Sequence, residues 1–166
     1  MTLSASPIVY RTHRPGDMGY IIYRHGLIYA EEYKWDEHFE AMVANIAAGF
    51  IQNYDPALER CWIAERDGAF MGCICIVKDT KRDNAARIRM LFVEPAARGL
   101  GLGKKLVQLC LDFAREKGYA EIVLSTQSIL VPARTLYQKA GFTFVGEEDG
   151  GYMPWNSKAE CWEMKL

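Results

Sequence analysis

Arg98-Gly99-Leu100-Gly101-Leu102-Gly103-Lys104 sets three glycines at alternate positions between two cationic side chains. The mostly apolar, β-prone run Ile88 to Val93 precedes it, Pro95 ends that run, and an amphipathic pattern follows. A strand, a glycine-rich loop and a helix start present bare backbone N–H groups at the positive end of a helix dipole. That is chemistry for holding a phosphate. Two familiar phosphate loops do not fit. A P-loop needs Gly, four residues, then Gly-Lys-Ser/Thr. Here Arg98 stands at the first Gly position and Lys105 follows Gly103-Lys104. A dinucleotide fingerprint needs G-x-G-x-x-G, and the spacing here is one residue short. Glu121 lies about 20 residues on, where that fingerprint wants its ribose-binding acid, but it opens a strand-like run rather than closing one. The structural alternative is a glycine-rich turn before an ordinary helix.

The elements around the loop follow from pattern. Ile8 to Tyr10 reads as a short strand ended by Arg14-Pro15-Gly16-Asp17, with Asp17 as a helix N-cap. Met18, Ile21, Ile22, His25 and Tyr29 then recur at helical spacing. A second helix after Trp35-Asp36 carries Phe39, Met42, Val43, Ile46 and Phe50 on one face, and Tyr54-Asp55-Pro56 breaks it. Cys61 to Glu65 and Phe70 to Val77 are strands joined by the hairpin signal Asp67-Gly68. In the next strand, alternation puts Ile88, Met90 and Phe92 on one face and Arg87, Arg89, Leu91 and Val93 on the other. Leu102, Leu106, Leu109, Cys110 and Phe113 form the stripe of the helix after the glycine loop, which stops at Lys117-Gly118. A strand from Glu121 to Ser125, a short helix from Ala133 to Ala140, a strand from Phe142 to Gly146 and an alternating strand from Cys161 complete the order β-α-α-β-β-β-α-β-α-β-β. A mixed sheet flanked by helices follows.

Composition narrows the class. The 166 residues are 50% hydrophobic and 25% charged with net charge −1, so one domain with a sizeable core is expected over residues 1–166 and no global field favours nucleic acid. No run reaches the roughly 18 apolar residues of a membrane span. Met1 to Tyr10 lacks a basic segment and an apolar core, so no secretory leader is read there and a cytoplasmic location is expected. The five cysteines at 61, 73, 75, 110 and 161 include no Cys-x-x-Cys pair. They read as small core residues in a reducing compartment, and no metal is expected.

Arg-Gly-x-Gly-x-Gly after a strand ending in Val-Glu-Pro resembles the acyl-CoA pyrophosphate loop of the GNAT family of N-acetyltransferases. A second stretch, Ala133-Arg134-Thr135-Leu136-Tyr137-Gln138-Lys139-Ala140-Gly141-Phe142, resembles that family's A-x-x-L-Y-x-x-x-G-F segment. The resemblance spans nearly the whole chain. It implies an α/β (α+β) acyl-CoA N-acyltransferase fold, with a mostly antiparallel mixed sheet whose fourth and fifth strands splay apart. The opening helices are also similar to the acetyltransferase module found fused behind MarR-type repressors, although this chain has no winged-helix region.

The resemblance also implies a site. Acetyl-CoA would place its pyrophosphate on Arg98, Gly99, Leu100, Gly101, Leu102, Gly103 and Lys104, and its pantetheine beside the backbone of Leu91, Phe92 and Val93 like an added strand. Tyr137 would protonate the leaving thiolate. Its structural alternative is a core aromatic. No general base stands out among Glu31, Glu32, Asp36, Glu37, His38 and Glu94. The acceptor, a small amine or a protein lysine or N-terminus, would meet Tyr20, Tyr23, Arg24, His25, Tyr29, Glu32, Trp35, Thr126, Gln127, Tyr152 or Trp155. An aromatic pocket with a carboxylate suits a cationic amine. His25 alone reads more simply as a satisfied helix histidine. A homodimer is an expectation from the resemblance alone. Two other classes stay open on the sequence, a non-catalytic acyl-CoA sensor and a nucleotide-binding oxidoreductase, the latter disfavoured by the glycine spacing.

Overall fold

Strand β1 (Val9–Thr12) leads into two helices, α1 (Asp17–Tyr33) and α2 (Glu37–Asn53). Then come β2 (Arg60–Arg66), β3 (Ala69–Lys78), β4 (Ala85–Val93), a single 3-10 turn at Pro95–Ala97, and α3 (Leu102–Glu116). The chain closes with β5 (Glu121–Gln127), α4 (Val131–Ala140), β6 (Thr143–Glu147) and β7 (Ala159–Lys165). This computed structural model describes residues 5–149 and 152–166. Met1 to Ser4, part of the segment read for a leader, and Gly150-Gly151, in the loop expected to rim the acceptor pocket, lie outside the described residues. The element order is the one the sequence pattern predicts. Among the described residues no helix is long and apolar enough to cross a membrane.

The strands form one mixed sheet in the order β1-β2-β3-β4-β5-β7-β6. Every neighbouring pair is antiparallel except β4 and β5. Asp67 (φ 52°) and Gly68 (φ 78°) both take the left-handed conformation that a two-residue hairpin needs to match strand twist. Asp36 caps α2 by accepting the His38 N–H at 3.0 Å. Asp17 does not cap α1 as expected. It is the first helical residue, with Gly16 at the cap position. Its carboxylate instead accepts from the Arg14 N–H at 2.7 Å and takes both terminal nitrogens of Arg11, so it ties the turn back to β1.

Apolar side chains cover both sheet faces. On one, α3 and α4 pack Leu102, Leu106, Cys110, Phe113 and Tyr137 against Ile74, Ile76, Ile88 and Leu124. On the other, Met18, Ile21, Ile28 and Phe50 of the first helices cover Cys61, Ile63, Cys73, Cys75 and Phe92. All five cysteines are free and buried, as expected of small core residues.

One irregularity organises the centre of this sheet. β4 pairs β3 in register from Ala86 to Arg89 and again at Phe92 and Val93, with an extra residue between. Met90 carries the strain at φ 53°, and its carbonyl, turned out of the ladder, accepts the Cys73 thiol at 3.2 Å. A bulge of this kind reverses side-chain alternation. The uniform alternation expected for β4 is therefore wrong past Arg89. Ile88, Leu91 and Val93 join the α3/α4 core, while Met90 and Phe92 join the α1/α2 core.

Gly72 lies opposite Val93 beside this bulge, and a Cβ there would sit 2.5 Å from the Phe92 carbonyl oxygen. Backbone cannot yield as a flexible side chain would. Gly72→Ala is expected to cost about 1–3 kcal/mol of stability, as overpacking does, read as a lowered urea midpoint. An unchanged midpoint would mean that the strands separate freely at the bulge.

Candidate functional site

β4 pairs β5 only from Ala85 to Ile88 against Glu121 to Leu124. Beyond that point β5 keeps β7 as its neighbour through Gln127, while β4 runs on to Val93 without a strand on that side. The opening holds two adjoining cavities. The first, of about 430 Å³, is lined by Leu91, Phe92 and Val93, by Ala97 to Gly99 and Gly101 to Lys104, and by Leu130, Pro132, Ala133 and Leu136 on the α4 side. The second, of about 670 Å³, runs beneath α1 and α2 over the other end of β4. Tyr29, Leu91, Leu130 and Ala133 belong to both.

The first cavity ends on the glycine loop. The amides of Gly99 to Lys104 donate to no acceptor among the described residues, and Lys105 is the first to bond back, to Gly101 O at 3.1 Å. Six N–H groups in a row thus lack a partner among the described residues, the last three of them in the first turn of α3, at its positive end. Gly101 makes this possible at φ 75°, and a Cβ there would enter open space. Lys104 has no ion pair among the described residues. Arg98 has one, with Glu32 at 2.8 Å. Both side chains are partly exposed, so the pair is weak and readily exchanged for another anion. Unpartnered amides, a free lysine and an apolar channel along an unpaired strand edge fit a long pantetheine arm ending in a pyrophosphate. Of the residues expected to hold the donor, all line this cavity except Leu100, which is exposed.

Tyr137 projects from α4 into the second cavity, edge-on to Phe142 at 5.8 Å. It is buried, and its hydroxyl has no hydrogen-bond partner among the described residues. Burial pushes that hydroxyl above its ordinary pKa, and nearby Tyr29 adds to the shift. Tyr29 is raised in the same way, by burial first. Both keep their protons at neutral pH.

Of the residues expected to meet an acceptor, His25, Tyr29, Trp35, Thr126, Gln127 and Tyr152 line the second cavity. The others do not. Tyr20, Tyr23 and Trp155 are exposed, Arg24 is held bidentately by Glu94 at 2.6 and 2.7 Å, and Glu32 sits at the first cavity. None of Glu31, Glu32, Asp36, Glu37, His38 and Glu94 lines the second cavity. His25 is the satisfied helix histidine of the simpler reading. Its Nδ1 lies 2.8 Å from the Ile21 carbonyl, its ring stacks on Tyr29, and burial lowers its pKa to about 4.

Sequence pattern missed the polar floor of this cavity. Asp79 takes Arg87 at 2.6 Å, Arg87 donates to Ser125 at 3.0 Å, and Ser125 donates to Glu148. Arg87 and Asp79 are both nearly inaccessible, and Arg89 lines the same cavity. Two arginines in an otherwise apolar strand were the available signal.

The model for the acetyltransferase (GNAT) family matches residues 24–142. Human N-acetyltransferase 8 is 30% identical over 117 residues, covering 68% of this chain and 52% of that protein. The chain spans about half the length of the curated relatives it matches. A GNAT-family acetyltransferase from Staphylococcus aureus superposes with TM-score 0.75 at 17% identity over 96% of this chain and 99% of that one. A Salmonella typhimurium protein solved with its cofactor acetyl-CoA superposes with TM-score 0.73 at 20% identity, covering 96% and 94%. These likenesses bear out the fold class. The finer likeness to modules fused behind MarR-type repressors finds no support in them.

The buried histidine has a thermodynamic signature. The unfolded chain binds a proton at His25 near pH 6.5 and the folded chain only near about 4, so stability is complete above pH 6.5 and falls as pH drops through that window. The loss is on the order of 3 kcal/mol. His13 is lowered too, by burial, and acts with the same sign. Urea midpoints taken between pH 7 and pH 5 are expected to fall, and His25→Gln to flatten most of that slope. An equal slope in the variant would show that His25 is protonated in the folded state.

Proposed function

The chain belongs to the acetyltransferase (GNAT) family, and from that premise we propose that it is an acetyl-CoA-dependent N-acetyltransferase acting on a primary amine, of a small molecule or of a protein lysine or N-terminus. The observation that carries this reading is the run of unpartnered amides from Gly99 to Lys104 at the end of a cavity that opens onto Tyr137.

Acetyl-CoA supplies an activated acyl carbon. An amine attacks it, a C–N bond forms, the C–S bond breaks, the amine loses one proton and the thiolate gains one. The loop amides, Lys104 and the helix end hold the pyrophosphate, with Arg98 free to leave Glu32 for it. The unpaired edge of β4 from Leu91 to Val93 fixes the arm, which converts a bimolecular encounter into a local one. A backbone N–H on that edge polarises the acyl oxygen. Tyr137, kept protonated by burial, donates to the sulfur as charge builds there. The thiolate's acid has a pKa near 8.5, below that of the tyrosine, so the hydroxyl helps rather than dominates. The expected carboxylates lie elsewhere, Asp79 is tied to Arg87 and Glu148 to Ser125, Asp149 is exposed, and His25 is too weak a base at about 4, so the amine enters neutral and its proton leaves through water. A non-catalytic acyl-CoA sensor would share the first cavity, but it would have no use for a protonated tyrosine facing a second one.

Calorimetric titration with acetyl-CoA tests the donor site. Micromolar binding, competed by CoA and not by NADH or ATP, is expected. Gly101→Glu is expected to abolish it with circular dichroism unchanged, and normal binding in that variant would refute the loop assignment. Thiol release with an amine panel then tests transfer. Tyr137→Phe is expected to lower kcat about 100-fold, the low end of general-acid effects, with acetyl-CoA affinity changed less than about threefold. Unchanged turnover would remove Tyr137 from the chemistry.

A further inference from the structure

Arg87 and Arg89 stand two residues apart on β4 and both line the second cavity, yet only one is spoken for. Arg87 is locked between Asp79 and Ser125. Arg89 makes no hydrogen bond and no ion pair among the described residues, although it is half-buried. Burial works against its charge first, and Arg87 beside it adds repulsion. Asp79 and Glu148 attract it from beyond ion-pair distance. A guanidinium keeps its proton even so. The fold therefore holds a partly desolvated cation, unpaired among the described residues, against an open cavity, an arrangement that costs free energy until an anion arrives.

We infer that Arg89 is the recognition site for a carboxylate on the acceptor, and that the acceptor is a small amino acid with an apolar or aromatic side chain. The inference rests on the acetyl-transfer reading and deepens it. Three observations converge. The guanidinium fork matches a carboxylate in bidentate geometry. Leu91, where the two cavities meet, lies two residues from Arg89 across the bulge, so the backbone separates them by no more than about 7 Å. A carboxylate whose carbon is two bonds from the attacking nitrogen, as in an α-amino acid, spans that gap together with the arginine side chain. The facing wall is Trp35, Phe39, Met42 and Ile46, which suits an apolar side chain and not a second charge. The cavity's other charges do not compete for the carboxylate. Asp79 and Arg87 cancel each other, Glu148 accepts from Ser125, and Lys81 and Asp149 are exposed, where water screens an ion pair and makes it weak.

The test separates this from the donor reading because it needs no acyl donor. Each of several N-acetyl amino acids, N-acetylphenylalanine and N-acetylmethionine among them, is titrated into the protein by calorimetry. Each is paired with the N-acetyl amine that lacks its carboxylate. The carboxylates of at least one pair are expected to bind at least tenfold more tightly. Arg89→Gln is expected to erase that difference while leaving acetyl-CoA affinity unchanged, and Arg89→Lys to restore part of it. Equal or tighter binding of the decarboxylated partners, no binding by any carboxylate, or a preference that survives Arg89→Gln would overturn the proposal. Thiol release from acetyl-CoA with free phenylalanine and with phenethylamine reads the parent function separately. Release with phenethylamine alone would uphold acetyl transfer and sink the carboxylate site. Carboxylate binding that depends on Arg89, with no thiol release from any amine, would keep the site and sink the transfer.

Discussion

A single extra residue in β4 sets the geometry of the strand that lines both cavities of this chain. Met90 occupies a left-handed backbone conformation in the middle of a strand, a position that disfavours any side chain but glycine, asparagine or aspartate. The strain persists because both flanks are fixed. Ala86 to Arg89 and Phe92-Val93 are held by β3, and the freed Met90 carbonyl still finds the Cys73 thiol. The turn of the backbone there accompanies the parting of β4 from β5, whose pairing stops at Ile88 and Leu124. A buried strand edge left bare would cost about 1–3 kcal/mol for each unsatisfied group. Here the bare edge from Leu91 to Val93 lines an open cavity, where water or a ligand can meet it.

The same bulge sorts the side chains. Before it, Arg87 and Arg89 face the α1/α2 side and Ile88 faces α3 and α4. After it, Leu91 and Val93 complete the α3/α4 core and Phe92 completes the other. Without the extra residue, Arg87 and Arg89 would share a face with Leu91 and Val93, and one set would be on the wrong side of the sheet. One strand can therefore contribute buried cations to one cavity and apolar walls to the next. The sheet stays intact because β3 spans the irregularity and Gly72 allows the close backbone approach beside it.

What the sequence made legible was local. The glycine loop, the Asp67-Gly68 hairpin, the start of α2 after Asp36, the stripe of α3 and the end of α4 at Ala140 each depend on neighbours a few residues away, and each is found where pattern put it. The cavity proposed for the donor rests on the same kind of local pattern, because backbone amides in a glycine run do not depend on distant side chains. The bulge was not legible. The stretch Arg87 to Val93 alternates without a break, and nothing in a period of two marks the residue at which the count slips. Asp17 misled for a related reason. Its residue type fits a cap, but Arg11 and the Arg14 amide offered its carboxylate better partners. Arg24 with Glu94, and Arg98 with Glu32, join residues 70 and 66 positions apart. No spacing rule reaches that far.

The two halves of the site thus answer to different constraints. The proposed donor half rests on backbone, on glycine conformation, a helix end and a strand edge without a neighbour. The proposed acceptor half is assembled from side chains on α1, α2, β4, β5, α4 and the segment around Glu148. Several of those positions also belong to a core, Ile88, Leu91 and Tyr137 to one and Met90 to the other. Arg87 and Asp79 belong to neither, and they are nearly inaccessible and bound to each other. That pair is costly to remove one partner at a time, and it anchors the cavity floor through Ser125 to Glu148. Its worth to the site is what it does for its neighbour. By consuming Asp79, Arg87 leaves Arg89 without an ion pair among the described residues.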